Sequence, residues 1–166
     1  MQTATATKPT SLIAIPAVPS ARTLWNLFLG GAAGLGFWEF FSATFTHWAA
    51  GFPLQPPELV KSLFQHQLGL TVSTPMAELL HGLTGLIFYP IGYYILSRAL
   101  PWLGVTAAGW IWGVATYFIA LGFFAPLAGQ PFLLNNVPVL SFMSLVGHAI
   151  YGYLAAIVFE RFEEGR

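Results

Sequence analysis

Four stretches of this chain, 24–50, 75–97, 101–126 and 138–159, read as membrane spans. A bilayer core about 30 Å thick takes roughly 20 apolar residues per helix. Inside it every backbone polar group must be satisfied by the protein itself, a demand that an α-helix meets alone. Composition closes the argument. The chain is 56% hydrophobic, 16% aromatic and only 7% charged, whereas a soluble domain carries about 25% charged residues. The expected fold is therefore an all-α integral membrane protein: an up-down bundle of four transmembrane helices over residues 24–166, behind an N-terminal tail, 1–23.

The connections fill in the topology. Arg98, Pro101 and Trp102 mark a tight turn between the second and third spans. In the longest connection, 51–73, Pro56 and Pro57 precede Glu58, as suits a first helical turn. Leu59, Val60, Leu63, Phe64 and Leu68 then recur at helical spacing, which predicts a short amphipathic helix lying in the interface. Lys8, Arg22, Arg98, Arg161 and Arg166 fall on one side of the bundle and Lys61 on the other. The positive-inside rule places both termini in the cytoplasm and turns 51–73 and 127–137 outward. The tail is broken by Pro16 and Pro19, so a surface-lying segment is expected rather than a cleaved signal.

Several functions find no footing. The formal net charge is zero, which leaves no basic field for nucleic acid. Cysteine is absent, and with it thiolate ligands and disulfides. No nucleotide-binding loop or Ser–His–Asp arrangement supports an enzyme. The expected partners are the lipid bilayer and, among proteins, a second copy of the chain or a larger membrane complex.

The informative residues are the ionisable ones within the spans. At 1.5 Å per residue, Glu39 sits roughly 16 Å below the outer end of the first span, and His148 about 15 Å into the fourth. Glu78 and His81 lie about 5 and 9 Å into the second, three residues apart and so on one face. An ionised carboxylate at the centre of a membrane helix costs at least about 2.5 kcal/mol, so each such group needs a partner or a proton. All four fall in the outer half of the bilayer, and one shared site of Glu39, Glu78, His81 and His148 is expected. Haem b held between His81 and His148 is one use, with Gly82, Gly85, Gly147 and Gly152 leaving room for a flat macrocycle. A single divalent metal bound by Glu39, Glu78, His81 and His148 is another. A di-iron site would need the Glu-x-x-His pair twice, and it occurs once. The alternatives are a proton-responsive or small-solute transporter without a cofactor, and a purely structural membrane subunit.

The remaining signals read as packing or solvation. Gly30-x-x-x-Gly34 and Gly109-x-x-x-Gly113 predict close helix approach. His47 and His66 are expected near water. Glu160, Glu163 and Glu164 read, beside Arg161 and Arg166, as a plain cytoplasmic cap.

The order of motifs carries a resemblance. A glycine-rich first span, "PLQPPE", a histidine entering the second span, "IGYYIL", "PLAG" after the third and "VGHAIYG" in the fourth resemble the YagU-type small bacterial inner-membrane proteins. The resemblance runs over roughly residues 30–160. The matching positions are Pro53, Leu54, Pro57, His81, Pro126, Leu127, Gly129, Gly147 and His148. It implies a four-span fold in a bacterial inner membrane and no particular activity.

Overall fold

The computed structural model of the protein describes residues 13–164; most of the expected tail, with Lys8, and Arg166 lie outside the described residues. Five helices account for most of the chain: α1 (Ala21–Ala50), α2 (Pro56–Leu68), α3 (Thr74–Ala99), α4 (Pro101–Leu127) and α5 (Pro138–Glu164). Among the described residues there is no strand. Helices α3, α4 and α5 are long and apolar enough to cross a membrane. Helix α1 has the length, at 30 residues, but Asn26, Glu39, Ser42, Thr46 and His47 hold its hydropathy below that of the other three. Large apolar side chains such as Phe40, Leu79, Ile95, Phe118 and Phe142 point outward, a surface suited to lipid and not to water.

Local chemistry sets the helix ends. The Ser20 side chain accepts the Thr23 N–H at 3.1 Å, capping α1, and Gly51, at φ 80°, closes it with an N–H bonded to the His47 carbonyl. The expected Pro56 start of α2 is present, and Gly69 ends that helix in the left-handed region. The tight turn falls at Leu100, between α3 and α4. Ahead of α1 the chain is extended and anchored twice, by Ala14 N–H to the Ala99 carbonyl and by the Tyr94 hydroxyl to the Ala17 carbonyl, each at 2.9 Å.

Two of the long helices widen in mid-course. Residues Thr84–Phe88 of α3 and Phe118–Phe124 of α4 are π-helical. Each segment lies just upstream of a proline, Pro90 and Pro126. A proline ring removes one N–H and collides with the carbonyl four residues back. Widening the turn relieves that collision, and Tyr89 and Ala125 accordingly bond the carbonyls five residues back, Thr84 and Ala120.

Helix α5 is the axis of the bundle. Both glycine pairs face it: a side chain on Gly30 would come within 2.5 Å of the Ala155 carbonyl, and one on Gly113 within 2.5 Å of the His148 carbonyl. These motifs therefore pack within the chain, α1 and α4 each lying along α5. Helix α3 leans on α1, where Gly31 admits Pro90 and the carbonyls of Gly85 and Leu86. Helices α3 and α4 meet near the Leu100 turn, through Tyr89–Ala99 and Gly104–Tyr117, and diverge beyond it. Helix α2 bridges the gap that opens, bonding the Leu127 carbonyl through Gln67 Nε2 at 2.6 Å.

The end of the bundle near the Leu100 turn corrects one expectation. Glu160 is not part of a solvated cap; it is buried and takes both terminal nitrogens of Arg98, at 3.0 and 3.1 Å. Tyr93 donates to the same carboxylate at 3.3 Å. Glu163 accepts from Thr23 and Asn26 of α1 at 3.0 and 2.7 Å. The acidic end of α5 thus ties α1 and α3 together.

Candidate functional site

The divergence of α3 from α4 leaves a cavity of about 500 Å³. Trp38 of α1 and Ser144, His148 and Tyr151 of α5 form part of its wall; Leu59 and Leu63 of α2 also line it. Both π-helical segments reach it, through Thr84, Gly85 and Phe88 on α3 and Ala120, Leu121 and Phe124 on α4. The volume is in the range of small-molecule sites, which are mostly apolar with a few placed polar groups. The amphipathic face expected on α2 is present, and part of it, Leu59 and Leu63, is directed at this cavity.

His148 is the most enclosed of the expected site residues, 9% exposed. Its ring packs edge-on against Trp38, centroids 4.4 Å apart. Trp38 fits because Gly147, beside His148, has no side chain to occupy that space. His148 Nδ1 lies 2.9 Å from the Ser144 carbonyl oxygen and 3.3 Å from its hydroxyl. A carbonyl only accepts, so Nδ1 carries the proton and Nε2 holds a lone pair. Nε2 has no hydrogen-bond partner among the described residues, and it is not sealed off from the cavity that His148 lines.

His81 stands on the same cavity wall but turns Nε2 to Glu39, 3.0 Å away across α1 and α3. The Glu39 carboxylate is 53% exposed and the imidazole 20%, a half-open pair in place of a buried one. Glu78 is exposed and lies outside the cavity wall. The structure thus joins Glu39 to His81, sets His81 and His148 on one wall, and leaves Glu78 apart. Among the described residues no three histidine or acidic side chains stand close enough to share a metal ion.

Three of the four glycines near these histidines are packed against neighbours. Gly147 admits Trp38, Gly152 admits the backbone of Gly113, and Gly85 admits Leu35; Gly82 alone of the four has nothing within 4 Å of a built side chain. Binding haem between His81 and His148 would also require His81 to release Nε2 from Glu39, since that nitrogen is the usual axial ligand.

Three features of the site had no counterpart in the sequence reading. Tyr151 donates to the Gly85 carbonyl at 2.6 Å, inside the first π-segment. Tyr89 is also a lining residue, and its hydroxyl makes no hydrogen bond among the described residues. Leu134, another lining residue, has φ 51° beside Leu133 at φ 54°, a left-handed pair that is costly for branched side chains. Proline after an apolar run was the available signal for the π-segments.

No protein family, curated sequence or solved structure matches the chain.

Proposed function

We propose that this is a four-span membrane protein that binds a small, mostly apolar molecule in the cavity beneath α2. The observation that carries the reading is the cavity itself: about 500 Å³, walled chiefly by leucine and aromatic side chains, with the buried His148 among them. A void of that size in a helical bundle loses packing contacts unless something fills it.

In this reading α1 is the fourth span, its polar residues being turned inward or paired: Asn26, Ser42 and Thr46 are buried and Glu39 is bonded to His81. Helix α2 lies in the outer interface as a lid, and both termini are cytoplasmic under the positive-inside rule. The motif order resembling the YagU-type proteins agrees with such a bundle in a bacterial inner membrane. A cation or haem as occupant draws less support, because His81 and Glu39 satisfy each other and Glu78 stands apart.

The test is equilibrium binding of an environment-sensitive apolar fluorophore to detergent-purified protein. Binding should saturate at one site and should be lost in Leu121→Trp, which enlarges a lining side chain of α4 at the cavity wall. Unchanged binding in that variant would place the dye on the lipid-facing surface and end the reading. Reporter fusions in the 51–73 connection test the topology; a cytoplasmic signal there overturns the orientation.

A further inference from the structure

The polar groups of the cavity select among apolar ligands. His148 presents a single chemical feature, an unprotonated nitrogen, because the Ser144 carbonyl at 2.9 Å fixes the proton on Nδ1. A 180° flip of the ring would put a C–H in place of Nδ1 at the Ser144 carbonyl, so that bond fixes the ring's orientation, and Trp38 packs edge-on against it, centroids 4.4 Å apart. Tyr117 closes the ring from a second side, centroids 6.2 Å apart. A lone pair held in a low-dielectric wall and left unpaired is costly. It asks for a donor from whatever occupies the cavity.

Resting on the reading of the cavity as a binding site, we propose that the ligand is a lipid-soluble molecule bearing a hydroxyl group, which donates to Nε2 of His148. The class includes alkylphenols, quinols and long-chain or cyclic alcohols. Their apolar bodies match the leucine and aromatic wall. Their polar head matches the unpaired acceptor at His148. The Tyr89 hydroxyl, on the same wall and without a partner among the described residues, can donate in turn to the ligand oxygen. A hydroxyl both donates and accepts, so after donating to Nε2 its oxygen can still take a proton donor from the wall. Anionic lipids are disfavoured, since a carboxylate or phosphate brings no proton to Nε2 and finds no buried cation on this wall.

Three probes of one shape separate the possibilities in the wild-type protein: an alkylphenol, its methyl ether and the corresponding alkylbenzene. The phenol should bind about tenfold or more tightly than either, the difference expected for one hydrogen bond in an apolar site. With ring-labelled histidine, the unprotonated nitrogen resonance of His148 should shift with the phenol and stay in place with the ether. In His148→Phe the preference for the phenol should vanish while the alkylbenzene still binds.

Equal affinity for all three probes in the wild type overturns the proposal and leaves the cavity reading standing. Failure of all three, alongside loss of the apolar fluorophore, removes the cavity reading and the proposal with it. A Soret absorption band in the purified protein that disappears in His148→Phe also overturns the proposal, by assigning Nε2 to iron.

Discussion

Arg98 and Glu160, 62 residues apart in sequence, meet through two parallel hydrogen bonds of 3.0 and 3.1 Å, with the guanidinium 5.5 Å from the ring centres of Tyr94 and Phe159. The carboxylate side chain is 7% exposed and the guanidinium 34%. Removing the cation would strand a buried negative charge with Tyr93 as its remaining donor. Breaking such a pair from one side costs about 3 kcal/mol, whereas replacing both charges by apolar groups of similar size is often close to neutral. Arg98→Leu should therefore lower the thermal midpoint in detergent by several degrees, and Arg98→Leu with Glu160→Met should recover most of the loss. A double variant no better than the single one would show that the charges do more than neutralise each other.

The contrasting pair is Glu39 with His81. Both side chains reach the molecular surface, the contact is one hydrogen bond of 3.0 Å, worth about 0.5–1.5 kcal/mol, and a glutamine carbonyl can accept in place of the carboxylate. Glu39→Gln should leave the midpoint almost unchanged. A drop as large as that of Arg98→Leu would mean that the Glu39 carboxylate is far less hydrated than its exposure suggests.

Glycine positions allow a sharper comparison. A side chain on Gly113 would meet the His148 carbonyl at 2.5 Å and Ala149 backbone atoms at 2.7 Å, none of which can rotate away. Gly113→Ala should cost about 1–3 kcal/mol, as overpacking does, and should weaken ligand binding by moving the turn that carries His148. Gly36→Ala is the control: nothing lies within 4 Å, and alanine gains up to about 1 kcal/mol of helix propensity. Thermal midpoints that fall equally for the two variants would contradict the packing described here.

What the sequence made legible follows from range. Helix boundaries near 50, 75, 101 and 138 could be read from where the apolar runs begin and end, beside Pro75, Pro101 and Pro138; the Ser20 cap was not read, and α1 begins at Ala21 instead of 24. That α1 and α4 each approach another helix closely was legible in Gly30, Gly34, Gly109 and Gly113; that the partner of both is α5 was not. The Arg98–Glu160 pair was not, because nothing local distinguishes Glu160 from Glu164. Depth along a helix placed Glu39 and His81 at comparable levels, and they do meet. Depth says nothing of azimuth, and azimuth separates Glu78 from that pair. The cavity was hidden for a related reason. It arises where α3 and α4 diverge, a property of how whole helices lean and not of any one residue.

The π-segments give the last prediction. The freed carbonyl of Gly85 is taken by the Tyr151 hydroxyl at 2.6 Å, and Pro90 supplies the steric reason for the widened turn. Tyr151→Phe keeps the ring but leaves that buried carbonyl without its donor, a loss of about 1–3 kcal/mol. Pro90→Ala acts on the same turn from the other side. It restores an N–H that can bond the Leu86 carbonyl, so α3 can tighten to regular α-helical spacing and rotate Thr84 and His81 relative to α5. Pro90→Ala should therefore leave the thermal midpoint equal or higher while weakening binding of the apolar fluorophore, and Tyr151→Phe should lower the midpoint. If Pro90→Ala leaves binding intact, the widened turn follows from the proline without shaping the cavity.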